Sequence, residues 1–113
     1  MSRNIVVITR GDTCDIRLDI GEWMHRHLGR DVSFYFGIMK PHEPFETATV
    51  RRKYGLTDTQ PDTVCHTRIL KVHLDADTTF ALEPGVYYYA LKAKAGDTVD
   101  TLVKRTKFVV NPS

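Results

Sequence analysis

Five histidines and two cysteines are the side chains of this sequence that could bind a transition metal. His25 and His27 flank a single residue, and this spacing would place both rings on one side of an extended segment. A zinc site needs three or four ligands, and no third ligand follows at a recognisable spacing. Cys65 and His66 are adjacent, so a strand would turn them to opposite faces. The sequence therefore predicts surface or interface histidines, with no native metal and no cofactor.

Nucleophilic catalysis would require a cysteine or serine near a histidine and an orienting carboxylate. Cys14 lies on the apolar side of an alternating segment, where a thiol behaves as a small hydrophobic group. Asp75 and Asp77 could bind calcium, but calcium takes six or more oxygen ligands. A helix N-cap or a turn explains these two carboxylates better. We therefore expect a protein that is not an enzyme.

Size, charge and hydropathy limit the possible classes of protein. A chain of 113 residues has room for one domain, and 42% apolar with 27% charged residues is ordinary for a globular protein. The net charge is +2, and its 16 basic and 14 acidic residues are interspersed along the chain. A nucleic-acid binder normally has a concentrated basic stripe, so we expect no nucleic-acid partner.

Targeting and membrane signals are missing from the sequence. No apolar run approaches the roughly 20 residues of a membrane-spanning helix, and the N-terminal apolar stretch is too short for a secretory signal. The sequence predicts synthesis in the cytosol, no membrane partner, and reduced thiols at Cys14 and Cys65.

Short β-prone runs separated by turn residues dominate the sequence, with almost no helical periodicity. Residues 13–20 and 32–39 alternate apolar and polar side chains, as half-buried strands do. Residues 46–52 form a weaker strand candidate, and 64–74 and 86–95 are stronger ones. Residues 21–31 predict a long loop or one helical turn, and 95–97 predict a hairpin turn. Seven or eight short strands with this spacing predict a sandwich or a small barrel.

A motif of the form Leu-x-Pro-Gly-x-Tyr occupies positions 82–87. It resembles the tyrosine corner of fibronectin type III and related immunoglobulin-like sandwiches. This resemblance implies an all-β sandwich of about seven to eight antiparallel strands, formed by residues 1–113 as one domain. It also implies that Tyr87 is the corner residue, that Leu82 fills the core, and that Pro84 and Gly85 make the turn.

Three stretches in this order resemble the immunoglobulin-like domains of tailed-bacteriophage structural proteins: Arg10-Gly11-Asp12-Thr13, residues 84–91, and Lys107-Phe108-Val109-Val110. The resemblance implies a non-enzymatic virion protein of the tail, baseplate, collar or capsid decoration. Such a protein would be present in several copies and would pack against other virion proteins after synthesis in the host cytoplasm.

Aromatic side chains are the residues that point to a binding surface. Three consecutive tyrosines cannot all face the core, and Tyr88 is expected to face outward between Tyr87 and Tyr89. An interface patch is predicted, with charged residues at its rim; its candidate members are Trp23, Met24, Tyr35, Tyr88, Arg51 and Arg52. Two alternatives remain open: Trp23 is the buried tryptophan of the core, or Trp23 and Tyr88 belong to a carbohydrate- or receptor-binding module.

Overall fold

The protein is predominantly β, as the alternating sequence pattern predicts. The computed structural model describes residues 5–62 and 67–113. Eight strands lie in these ranges: β1 (Val6–Thr9), β2 (Cys14–Asp19), β3 (Val32–Met39), β4 (Val50–Gly55), β5 (Thr59–Asp62), β6 (Thr67–Leu74), β7 (Gly85–Ala95) and β8 (Thr98–Asn111). Two short α-helices, α1 (Gly21–Arg26) and α2 (Ala76–Phe80), and two 3-10 turns at Phe45–Thr47 and Leu56–Asp58 connect them.

The strands form two sheets. The larger sheet has the order β1-β8-β7-β3-β4, and the smaller has the order β2-β6-β5. All strand pairs are antiparallel except β1 and β8, which run parallel, with Val6 opposite Phe108. This parallel pair differs from the fully antiparallel arrangement that we predicted. After a tight turn at Gly11, which has a φ of 91°, the chain continues from β1 into β2 of the smaller sheet.

One hydrophobic core receives side chains from both sheets. Because successive residues of a strand face opposite sides, every second residue of β2 and β6 enters this core. Its largest fully buried members on the larger sheet are Phe34, Phe36, Ile38, Tyr89, Leu91 and Phe108, and those on the smaller sheet are Leu70, Val72 and Leu74. Burying each such side chain stabilises the fold by roughly 1.5–3 kcal/mol.

Three elements can be compared with the sequence prediction: one differs from it, one defines it more closely, and one agrees with it. The weak strand expected at 46–52 begins at Val50, because the residues before it form a 3-10 turn after Pro44. The region expected to be a loop or one helical turn contains α1. The hairpin turn at Gly96, with a φ of 59°, is confirmed, and it leads into the single 14-residue strand β8. No helix in the described ranges is long and apolar enough to span a membrane.

The crossover from β6 to β7 contains the Leu-x-Pro-Gly-x-Tyr motif. Helix α2 begins after Asp75, whose carboxylate accepts a hydrogen bond from the Thr78 N–H at 2.8 Å. Bonding to Thr78 also holds the pKa of this carboxyl below its usual value. Leu82 is buried, and Gly85 has a φ of 151°, which favours glycine. The crossover thus carries the chain from the smaller sheet to the larger one over residues 75–84.

Tyr87 anchors this crossover to the strand that follows it. Its hydroxyl donates a hydrogen bond to the backbone carbonyl of Glu83 at 2.8 Å, four residues upstream. Burial raises the pKa of the phenol above its ordinary value, which already leaves the hydroxyl protonated as a donor at neutral pH. Tyr87 is 6% exposed, so the ring also contributes to the core.

Replacing Tyr87 with phenylalanine should lower the free energy of unfolding by about 1 kcal/mol, because the Glu83 carbonyl loses its partner. Urea titration of the wild type and the variant measures this difference. Tyr88→Phe is the matched control on the same strand, and it should change stability by less than about 0.5 kcal/mol. Equal losses in the two variants would contradict the structural role of the Tyr87 hydroxyl.

Candidate functional site

Trp23 and Met24 belong to the core, so their assignment to an exposed patch is wrong. They lie on α1 with only 3% and 7% of their surfaces exposed. The Trp23 ring packs edge-on against Phe34 at 5.6 Å between ring centroids, and its indole N–H donates to the Asp100 carboxylate at 2.8 Å. The helix turns these two apolar side chains inward, and Trp23 is the buried tryptophan of the alternative interpretation.

The histidines near Trp23 do not form a metal site. His25 is exposed, whereas His27 stacks on the Trp23 ring at 4.4 Å, with its Nε2 atom 3.9 Å from the Asp100 carboxylate. The expected extended geometry is wrong because His25 lies on α1, whereas His27 follows the last residue of this helix. Within residues 5–62 and 67–113, no three histidine, cysteine or acidic side chains are grouped to hold a metal ion. Cys65 and His66 lie outside these ranges.

Cys14 occupies the edge of the core rather than a reactive site. The side chain is half-buried beside the main cluster, and burial raises the pKa of its thiol. A raised thiol pKa reduces the fraction of thiolate, which is the nucleophilic form. The described residues around Cys14 therefore favour the predicted role of core filler.

Neither EDTA nor a reducing agent should change the melting temperature, since neither a metal nor a disulfide is expected to support the fold. Scanning calorimetry with each reagent separately tests this expectation. A fall of several degrees with EDTA would reveal a structural metal, and a similar fall with the reductant would reveal a disulfide.

The outer face of the larger sheet is the most distinctive surface of the molecule. Strand register places basic side chains next to one another on this side, although they are scattered along the chain. We call this surface the basic face; its members are Arg51, Lys53, Lys92, Lys94, Lys104, Arg105 and Lys107. None of the seven is within 4.0 Å of a carboxylate in the described part of the protein.

Aromatic rings lie beneath the cations of the basic face. Lys53 approaches the Tyr35 ring centroid at 5.8 Å, and Lys92 approaches that of Phe45 at 5.0 Å. Tyr35 and Phe45 are half-buried. Gly37 leaves room for Phe45, because an added Cβ atom would lie 3.1 Å from the Phe45 ring. These pairs are within the 6 Å range of cation–π attraction.

Arg105 fixes the loop beside this face. Its guanidinium lies 5.6 Å from the Tyr88 ring centroid, and it donates hydrogen bonds to the backbone carbonyls of Lys40, Pro41 and Glu43 at 3.0–3.2 Å. These three hydrogen bonds from one guanidinium hold the β3–β4 connection against the sheet. Arg105 is therefore a structural member of the basic face, whereas the lysines make no comparable hydrogen bonds to residues 5–62 and 67–113.

One corner of the same outer face is apolar. Val7, Val109 and Val86 lie opposite one another on β1, β8 and β7. Val7 is 59% exposed and Val86 is 44% exposed, and Ile5 next to them is 59% exposed. We call these four residues the valine corner. Neighbouring exposed aliphatic side chains on a sheet surface are typical of an interaction site.

The remaining predicted interface residues are divided between two sides of the sheet. Tyr35, Tyr88 and Arg51 lie on the outer face. Arg52 lies on the other side of β4 and donates a hydrogen bond to the Thr78 hydroxyl at 3.2 Å. The structure thus brings together three of the six predicted residues, and the alternation of β4 separates Arg51 from Arg52.

The sequence patterns predicted neither the valine corner nor the basic face. The alternation of Tyr88, Lys92 and Lys94 in β7 was a usable signal for the basic side of that strand. The contributions of β4 and β8 depend on which strands become neighbours, and local pattern does not give that information. The chain matches no known protein-family model, and no curated protein is significantly similar to it in sequence.

Replacing Trp23 with phenylalanine should lower the free energy of unfolding by about 2 kcal/mol, because the change removes buried volume and leaves Asp100 without its indole donor. Urea titration measures the loss. His25→Ala, on the exposed side of the same helix, should leave stability nearly unchanged. If Trp23→Phe were as mild as the control, the indole would not be a structural anchor.

Proposed function

We propose that this protein is a non-enzymatic structural module that packs against other proteins in a bacteriophage particle, and that its fold is an immunoglobulin-like sandwich. Tail, baseplate, collar and capsid decoration are the positions compatible with the family resemblance. The valine corner is the observation that carries the packing role. An exposed aliphatic row beside a tyrosine is a surface that a protein partner would cover.

The strand order supports the immunoglobulin-like assignment. In such sandwiches strands B, E and D belong to one sheet, and strands C, F and G belong to the other. The sheets β2-β6-β5 and β8-β7-β3 have this order if β2 is strand B and β8 is strand G. Tyr87 then lies near the start of strand F, just after the crossover from strand E, where the tyrosine corner is expected.

Open strand edges add a second means of assembly. β1 is an edge strand of the larger sheet and β2 is an edge strand of the smaller one. A partner can add a strand to such an edge through backbone hydrogen bonds. β1 also carries Val7, so a strand added there would meet the valine corner and gain apolar contacts together with backbone bonds.

The phage context rests on the three sequence stretches, and two of them contribute to this surface. Val86 follows Pro84-Gly85, and Val109 lies in the Lys107-Phe108-Val109-Val110 strand. The rival carbohydrate- or receptor-binding module depended on Trp23 and Tyr88 as exposed aromatics. Burial of Trp23 removes one of these two rings, and the surface that remains favours protein packing.

The double variant Val7→Lys with Val86→Lys should reduce incorporation into purified particles at least tenfold. Two valines lost from an interface cost about 2 kcal/mol, and each 1.4 kcal/mol is a tenfold change in affinity. Quantitative immunoblotting of particles from a complemented host measures incorporation. Far-ultraviolet circular dichroism verifies that the variant is folded.

The matched control is Leu28→Lys with Leu56→Lys, which removes two exposed leucines outside the outer face of the larger sheet. The control should be incorporated like the wild type. Equal incorporation of both variants would contradict packing through the valine corner. Loss of glycan or cell-surface binding in Tyr88→Ala, with normal incorporation, would instead favour the rival module.

A further inference from the structure

We infer that the basic face binds single-stranded nucleic acid, with its lysines and Arg51 on the phosphates and its aromatic rings against the bases. This activity is separate from packing, because the basic face and the valine corner consist of different residues. The cations of the basic face come together only in the folded protein, so their order along the chain predicts no nucleic-acid partner.

Six of the seven cations on this sheet face, all except Arg105, have no ion-pair or hydrogen-bond partner within the described residues that would account for their position. Lys92 and Lys94 are two residues apart on β7, so their side chains leave the same side about 7 Å apart. Lys53 lies opposite Tyr35 from one neighbouring strand and Lys92 lies opposite it from the other, which places the two lysines about 10 Å apart. The Debye length is about 8 Å at physiological salt, so Lys92 and Lys94 repel one another within it, and repulsion between Lys53 and Lys92 is partly screened.

Few of the described carboxylates are placed to offset this repulsion. Glu46 borders the face beside Phe45, and Asp97 lies in the hairpin turn. Asp75, Asp77 and Glu83 lie at the β6–β7 crossover, where Glu83 approaches Arg10 at 3.8 Å. A protein with a net charge of +2 therefore has a strongly basic side. A bound polyanion would remove the repulsion and release its own counterions.

Aromatic rings favour nucleic acid over an acidic protein as the occupant. Tyr35 lies beside Lys53 and Phe45 beside Lys92, and Phe45 also packs on a small buried apolar cluster of Met39, Ala48 and Ala90. Single-stranded nucleic-acid sites combine a basic surface that follows the phosphates with rings on which bases stack. An acidic protein would also need aliphatic contact, and the exposed aliphatic residue among the cations is Val99, opposite Lys94, whereas the valine corner holds Ile5, Val7 and Val86.

Sheet geometry favours a single strand over a duplex. The centre of the basic face consists of β4, β3, β7 and β8, and the half-buried rings lie close to this surface. Reading a duplex in a groove requires an element that enters it, such as a helix or a two-stranded ribbon. Open sheets with surface aromatics bind unpaired bases, as in the RNA-recognition motif. Contacts to phosphates and base faces imply little sequence preference.

Fluorescence anisotropy with a labelled oligothymidine of about 16 nucleotides tests the inference. The full chain should bind it at low salt, and the affinity should fall steeply as salt rises. If four to six phosphates are contacted, the slope of log K against log salt should be about −3 to −4. Lys92→Glu with Lys94→Glu should weaken binding at least tenfold, and the milder Lys92→Gln with Lys94→Gln should weaken it in the same direction.

The matched control is Lys71→Glu with Arg30→Glu, which changes net charge equally on exposed residues away from the basic face. It should retain affinity within about threefold, because only the general charge effect acts there. Tyr35→Ala should weaken oligothymidine binding several-fold and leave the salt slope unchanged, since it removes stacking but no phosphate contact. The double valine variant adds two positive charges to the same sheet face, so it should bind oligothymidine at least as tightly as the wild type while losing incorporation, which separates this result from the packing proposal.

Several results would overturn the inference. Equal losses in the Lys92/Lys94 and Lys71/Arg30 variants would mean that the effect is one of total charge. Binding of poly-L-glutamate as tightly as oligothymidine would indicate an acidic protein partner, and tighter binding of a duplex would exclude the proposed strand geometry. A slope near zero or the absence of binding at low salt would refute the site itself.

Discussion

Strand β7 lies in the middle of the larger sheet, and its alternating side chains connect the core with the outer surface. Tyr87, Tyr89 and Leu91 fill the space between the sheets, and the intervening Tyr88 and Lys92 face outward. Ladder bonds to β3 and β8 fix this strand on both sides. A shift of one residue would exchange the two sets of side chains. The core, the basic face and part of the valine corner therefore depend on the same register.

Contacts at both ends of β7 fix the register of this strand. Near the start of β7, Tyr87 bonds to the Glu83 carbonyl, and at the other end Gly96 makes a two-residue hairpin. The irregular pairing near Leu91 inserts extra residues in β8, and Arg105 of β8 holds the β3–β4 connection against the sheet. The surface that we propose for nucleic acid is thus built on strands, which positions its charges more firmly than loops would.

Local pattern in the sequence was sufficient for the elements whose own residues determine them. Strands β2 and β3 alternate clearly, Asp75 caps α2, and Gly96 makes a turn, so each was predictable. Helix α1 was less clear, because six residues do not form a stable helix alone. It depends on Trp23 packing on Phe34 and bonding to Asp100, which is distant in sequence. The sequence alone therefore left two alternatives for Trp23, a buried position in the core and an exposed position in a binding surface.

The functional surfaces could not be derived in the same way, since each combines several strands. The valine corner requires Val7 and Val109, from opposite ends of the chain, to meet Val86. The basic face requires β4, β7 and β8 to present cations on one side. Interspersed charge in a sequence is compatible with strongly segregated charge in a fold, because strand pairing brings distant residues with the same facing direction together.

The parallel pairing of β1 with β8 has a consequence for the order of folding. Val6 pairs with Phe108, about 100 positions later, so this contact is among the most distant in sequence and its loop-closure entropy is large. We therefore expect β1 to join the sheet after the local β7–β8 hairpin has formed. Such a strand should also be the first to detach, and its amide hydrogens should exchange with solvent before those of β7. A transiently detached β1 would leave β8 as the edge of the sheet, open to an equivalent strand from a neighbouring molecule.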